Sequence, residues 1–315
     1  MPKRDHGGGL DAAIAAYGGT RERWIDLSTG INPVPYPLPD LRAEAWTALP
    51  DQAAMDHLIK AARRFWNIPK AAAVLPVPGV SIAIAMMPQI TGAQSLTIQE
   101  RTYNEHAAAY VAVGAKLTPK ASVAIHIHPN NPTGQFCTEG NLQLEQHDWV
   151  IIDESFCDVA PEQSHIALTE RSNVMMQKSF GKFWGLAGLR LGFVIGPQAA
   201  VDHLARLIGP WAVSGPALEI GAKALEDEAW AQTTRSRLAQ DAQRLDDLIL
   251  SKPTELLGGT DLFRLYKVPD AKAWQSHLAR AHIWSRVFPY DPTWLRLGLP
   301  APQDWPRLAK AVEIM

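Results

Sequence analysis

Five short runs constrain this chain more than anything else in it. "SLTIQ" (95–99), "VAIHIH" (123–128), "DWVIIDE" (148–154), "VMMQKSF" (174–180) and "RLGFVIG" (190–196) are each almost continuously apolar. A strand with one wet face alternates apolar and polar residues, whereas a strand covered on both faces does not. These runs therefore read as strands of a mostly parallel, doubly covered sheet. Helical patterns lie between them, which makes the fold class α/β. From about 41 to 66, Leu58, Ala62 and Phe65 recur at helical spacing, and 217–250 reads as helix-rich. The tail alternates again in "DLFRLYKV", "HIWSRVF" and "TWLRLGL", the pattern of a small α+β domain. The first 40 residues, with "HGGG" and "NPVPYPLPD", read as an arm.

The chain has 315 residues, which suits two domains. We assign 30–208 to a large domain, and 1–29 and 209–315 to the arm and a small C-terminal domain. A net charge of −2 gives no electrostatic reason to expect nucleic acid. "MPKRDHGGGLDAA" has no apolar run after its basic start, so it is not a secretory signal. The most apolar window, "VLPVPGVSIAIAMMPQI", is broken by Pro76, Pro78, Gly79 and Pro88, and reads as strand, turn and helix start rather than a membrane span. Cys137 and Cys157 have no metal spacing and make no disulfide framework, so no metal is expected and a reducing cytoplasm fits. The eleven tryptophans are scattered and read as packing residues.

Several residues carry chemistry. Asp153 follows a buried strand and so stands at its carboxyl end, where open α/β sheets bind ligands. "HIHPNNPTG" is a turn after another such strand. Gly79, Val80 and Ser81 open an apolar helix, a geometry that presents N–H groups to an anion. Lys182 sits in "SFGKFWGLAGLRLGF" among Phe180, Phe183 and Trp184, with Ser179 before it and Arg190 after. An apolar setting and a nearby cation make a lysine amine nucleophilic toward an aldehyde. Taken singly each has a plainer account: a helix cap, a turn, an ordinary helix start, a surface lysine.

The order of these segments (Gly-x-Ser, aromatic, Asn-Pro-Thr-Gly, Asp-Glu, Ser-x-x-Lys, Arg-x-Gly) resembles the pyridoxal-phosphate enzymes of aminotransferase fold type I over nearly the whole chain. That resemblance implies a mostly parallel seven-stranded sheet between helices, plus a small α+β domain. It implies that Lys182 holds pyridoxal 5'-phosphate covalently, that Asp153 pairs with the pyridinium nitrogen, and that Tyr103 in "RTYNEH" stacks on the ring, all three as catalytic residues. Asn131 would donate to the phenolic oxygen, and Val80, Ser81, Ser179 and Arg190 would cup the phosphate. Phe156 lines the cofactor where many relatives carry a tyrosine. Arg296 in "WLRLGLP" matches the arginine that grips a substrate carboxylate.

The N-terminus narrows the resemblance. "DHGGGLDAAIAAYG" and "WIDLSTGINPVPYP" look like the entry of the threonine-phosphate decarboxylases of cobalamin biosynthesis, which resemble histidinol-phosphate aminotransferases in the core. His6, Gly7 and Gly8 match their first element; Ser28, Asn32 and Pro33 match the second, with Gly30 where an Asn is common. The implied substrate is L-threonine O-3-phosphate, converted to CO2 and (R)-1-amino-2-propanol O-2-phosphate. His6, Gly7, Asn32, Asn131, Arg286 and Arg296 are then substrate residues, Arg286 being assigned to the substrate phosphate across a brief span from Arg296. The implied partners are this small phosphorylated amino acid and a second copy of the chain in a homodimer, with no nucleic acid and no membrane. Two rivals share the features: an aminotransferase, foremost on histidinol phosphate, and a non-catalytic partner protein in cobalamin assembly.

Overall fold

The computed structural model describes residues 6–314. The chain forms two compact units. The larger comprises Pro35–Asn131 and Phe136–Thr233; the smaller comprises the residues up to Val34, Pro132–Gln135, and those from Thr234 onward.

The larger unit is built on a seven-stranded sheet in the order Ala73–Val77, Gly192–Gly196, Val174–Ser179, Trp149–Asp153, Val123–Ile127, Ser95–Ile98, Lys116–Leu117. Gly192–Gly196 runs antiparallel to both neighbours, and every other pairing is parallel. The five apolar runs are all strands of this sheet. Ile151, Ile152, Met175, Met176, Val194 and Ile195 are fully buried, as strands covered on both faces require.

The helix expected over 41–66 is two helices, Glu44–Thr47 and Gln52–Phe65. Pro50 separates them, because proline disfavours helical geometry in the residue before it. Asp51 then caps the second helix by accepting from the N–H of Ala54 at 2.8 Å. The 217–250 segment likewise divides, into Gly215–Glu226 and Glu228–Ile249. Asp227 stands at the joint and accepts from Trp230 N at 2.9 Å.

At the carboxyl ends of two central strands lies a buried charge cluster. Lys178 donates to Glu154 at 2.5 Å and lies 3.6 Å from Asp158. Asp158 also accepts from the indoles of Trp66 and Trp184, at 2.9 and 3.2 Å. Trp184 in turn stacks between Phe180 and Trp230, with centroids 4.9 and 5.3 Å away. Burial opposes ionisation of Glu154, but Lys178, Ser164 and the His165 N–H more than offset it and lower its pKa.

The smaller unit holds an antiparallel sheet in the order Arg286–Phe288, Asp291–Gly298, Phe263–Lys267, Glu255–Thr260. Ile25–Asp26 pairs in parallel with Ile283–Trp284. The helix Leu10–Tyr17 packs with Trp24 and Ala279, so the arm is anchored by apolar contacts within its own unit.

The buried cluster yields a stability prediction. Lys178→Met leaves two buried carboxylates without their cation, and breaking such a pair costs about 3–5 kcal/mol. Urea denaturation should show that loss, with Lys178→Arg recovering part of it.

Candidate active site

The carboxyl ends of the parallel strands meet at a cavity in the larger unit. Val80, Ser81, Tyr103, Asn131, Asp153, Phe156, Ser179, Lys182 and Arg190 all line it. They lie at or near strand ends on separate segments of the sheet, which is why residues so far apart in sequence converge.

One end of the cavity suits an anion. Gly79 has φ +86° and precedes the helix Val80–Thr91. A Cβ on Gly79 would lie 2.2 Å from Nη2 of Arg190, so the glycine is what lets the guanidinium lie against the helix entrance. Arg190 itself has φ +54° and is steadied by donating to the Ala187 carbonyl at 2.9 Å. Guanidinium, first-turn N–H groups and the Ser81 and Ser179 hydroxyls form a cup of the kind that binds phosphate.

The opposite chemistry is met at Asp153, which is buried. Its Oδ2 lies 2.9 Å from Nε2 of His106, and its Oδ1 accepts from the N–H and hydroxyl of Ser155 at 2.9 and 2.5 Å. Burial alone would raise its pKa; the hydrogen bond and charge of His106, then the Ser155 bonds, prevail and hold the carboxyl below its ordinary value. Asp153 is thus a carboxylate kept ionised out of water.

Lys182 lines the same cavity. Phe180, Phe183 and Trp184 are fully buried and pin the loop, while Lys182 itself is only half-buried. Its Nζ lies 5.1 Å from the centroid of the Phe156 ring, a cation–π contact. Phe156 therefore offers the amine a π face and no hydroxyl.

The other candidates belong to the smaller unit. Arg286 and Arg296 are register partners in the hairpin of Arg286–Phe288 and Asp291–Gly298, so both side chains leave the same face of the sheet. Arg296 is buried, lies over the Phe263 ring at 5.0 Å and donates to the Ser28 carbonyl at 2.5 Å. Burial first, and the charge of Arg286 second, push its pKa down to about 9 against the opposing pull of Tyr290 and Asp26. It stays cationic at neutral pH. Gly7 packs on the same Ser28 carbonyl, which a Cβ would approach to 2.3 Å. Gly8 N donates to Ser28 Oγ at 2.7 Å, and the neighbouring His6 is exposed. Asn32 is buried, and its Oδ1 accepts from Val34 N at 3.0 Å and from Arg237 at 2.6 Å.

Two residues of the site are absent from the sequence reading. His106 lies one helical turn after Tyr103 in "YNEH", and that spacing puts it on the face of Tyr103. Ser155, two residues after Asp153, has the spacing of a side-chain turn.

Residues 53–313 match the family described as aminotransferase class I and II. The chain is 37% identical over 311 residues to a threonine-phosphate decarboxylase of Sinorhizobium sp, covering 93% of this chain and 92% of that protein. It is 36% identical over 326 residues to the threonine-phosphate decarboxylase of Pseudomonas aeruginosa, covering 98% and 97%. The histidinol-phosphate aminotransferase from Sinorhizobium meliloti in complex with pyridoxal-5'-phosphate has the same fold, with a TM-score of 0.81 at 15% identity, over 100% of this chain and 96% of that one.

The depressed pKa of Asp153 has a signed consequence. A carboxyl lowered on folding stabilises the protein above its unfolded pKa, and that contribution fades as pH falls through the folded value. The stability gap between wild type and Asp153→Asn should therefore be widest above about pH 4 and shrink below it. Urea denaturation across that range would measure it; a gap independent of pH would contradict the ionised assignment.

Proposed function

The chain belongs to the aminotransferase class I and II family, and on that premise we propose that it uses pyridoxal 5'-phosphate to decarboxylate L-threonine O-3-phosphate. The products are CO2 and (R)-1-amino-2-propanol O-2-phosphate, the linker of the cobalamin nucleotide loop. The observation that carries the choice is identity of 36–37% to two threonine-phosphate decarboxylases along nearly the full length of all three chains.

The cavity fits the cofactor. The space at Gly79 that a Cβ would fill is taken by the Arg190 guanidinium, beside a helix entrance, which suits a phosphate monoester. The buried, ionised Asp153 suits a pyridinium N–H, and Lys182 offers an amine to an aldehyde. When bound, pyridoxal phosphate supplies that aldehyde and an electron-withdrawing ring. Asp153 keeps the ring nitrogen protonated, and His106 with Ser155 keeps Asp153 charged. Asn131 would donate to the cofactor's phenolic oxygen, and Tyr103 would flank its ring.

Arg296 binds the substrate carboxylate and Arg286 its phosphate. Two fixed anions set the rotation about the N–Cα bond, and that rotation decides whether the carboxylate or the hydrogen of Cα is lost. Once CO2 has left, Lys182 Nζ returns a proton to Cα. His6, Gly7 and Asn32 belong to the substrate side, Gly7 through the Ser28 carbonyl that also holds Arg296.

The assembly is a homodimer in this reading. Leu38, Trp46 and Leu49 are exposed within one short segment, an apolar surface that a second copy would cover. The compartment is the cytoplasm, in keeping with two free cysteines. Among the described residues no helix is long and apolar enough to cross a membrane.

Two experiments test the reading. The protein mixed with L-threonine O-3-phosphate should release CO2, and unphosphorylated L-threonine should react at least ~100-fold less efficiently, since two or three charge-assisted bonds are lost. Glutamate formation from histidinol phosphate and 2-oxoglutarate, with no CO2 from threonine phosphate, would refute it. Gly79→Ala should weaken pyridoxal-phosphate binding about tenfold or more by displacing Arg190, as one charge-assisted bond is worth ~1.5–3 kcal/mol; cofactor titration followed by absorbance reads the shift.

A further inference from the structure

A second cluster of ligating side chains lies outside the cavity. His128 follows the strand Val123–Ile127 and is buried. Its Nε2 lies 2.7 Å from the carbonyl oxygen of Gln163. That nitrogen therefore carries the ring proton, and Nδ1 presents a lone pair. Nδ1 lies 3.2 Å from Sγ of Cys137 and accepts the Cys137 N–H at 3.1 Å. On the other side of the thiol, Nε2 of His165 is 3.9 Å from Sγ and 2.9 Å from the Cys137 carbonyl oxygen. The two imidazole centroids are 4.4 Å apart. One thiol and two imidazoles thus converge, their ligand atoms all within 4.8 Å of one another.

We propose that His128, Cys137 and His165 form a binding site for one zinc ion. Zinc bonds of about 2.0–2.1 Å to nitrogen and 2.3 Å to sulfur at tetrahedral angles put ligand atoms roughly 3.3–3.6 Å apart. The observed 3.2 and 3.9 Å separations bracket that range, so small side-chain shifts complete the site. A donor set of two imidazoles and one thiolate selects zinc or a similar thiophilic ion and rejects magnesium and calcium, which take oxygen. The Gln163 carbonyl on His128 Nε2 is the outer bond that fixes the tautomer of a metal-binding histidine. Cys137 and His165 are half-buried, which leaves an approach and a fourth position for water. Glu154, on the buried side of His128, is already held by Lys178, Ser164 and the His165 N–H.

Binding forms the Sγ–zinc bond, and the thiol proton passes to water. His165 gives up its bond to the Cys137 carbonyl, its ring proton moves by way of water from Nε2 to Nδ1, and the freed Nε2 lone pair turns to the metal, while His128 exchanges the Cys137 N–H for it. No electron moves. The histidines are nine and 28 residues from Cys137, a spacing that matches no short motif. The ion would tie the loop that carries Asn130 and Asn131 to the segment at Gln163–His165.

The test uses the holoenzyme, stripped with a chelator, equilibrated with zinc and dialysed, with metal measured by atomic emission. The expected result is one zinc per chain, lost in Cys137→Ser and in His165→Gln with binding at least ~100-fold weaker, more than an outer-sphere change would cost, while both variants keep their cofactor absorbance. Cys157→Ser should retain the ion. Wild type loaded with cobalt(II) should show the intense red-region bands of a tetrahedral thiolate site, a readout that needs no variant. No retained zinc, full retention in Cys137→Ser, or the weak bands of octahedral cobalt would each overturn the proposal.

Discussion

The structure turns on two adjacent carboxylates at the end of one strand. Asp153 and Glu154 follow each other past Trp149–Val150–Ile151–Ile152, and consecutive side chains of a strand leave opposite faces. Both are almost wholly buried, so each requires its own positive or hydrogen-bonding partner. Asp153 lines the cavity and takes His106 and Ser155. Glu154 takes Lys178, Ser164 and the His165 N–H. The neighbouring strand ends in Lys178-Ser179, so the cation for Glu154 and a cup residue are themselves adjacent. At the carboxyl ends of the same two central strands, one side is thereby made stable and the other is made reactive.

The aromatic cluster extends that division. Trp184 ties its indole to Asp158, which also borders Lys178, and stacks on Phe180 and Trp230. Two residues earlier in the same loop, Lys182 is turned to the cavity. The loop that carries the lysine is fixed by these rigid aromatic neighbours. This explains why so many large apolar residues surround a single amine in "SFGKFWGL".

How much of this was legible depends on how local the signal is. The sheet strands were readable because double burial removes polar residues from every position of a run. The residues that line the cavity were readable because they lie at or near the ends of such runs, in a fixed order. What escaped was pairing across sequence distance. His106 bonds a residue 47 positions away, and nothing near it names Asp153. Lys178 was read only as part of a strand, although a lysine in a doubly covered strand demands a buried counter-charge. The helix breaks at Pro50 and Asp227 were visible as residue types, but Leu58, Ala62 and Phe65 all lie beyond Pro50, so their spacing does not mark where the helix starts.

The smaller unit poses the complementary problem, with cations in place of carboxylates. Arg286 and Arg296 face each other in register, and like charges directly opposite in a sheet are destabilising. Arg296 is also buried, and its lowered pKa records the cost of burial and of the second guanidinium. Phe263, Phe288 and the Ser28 carbonyl relieve part of it through ring faces and one accepted bond. An anion near the pair would offset part of that cost, because opposite charge favours both guanidinium groups. In the proposed reaction the carboxylate and the phosphate of the substrate would each meet one of these arginines, so complementary charge would be matched at both positions.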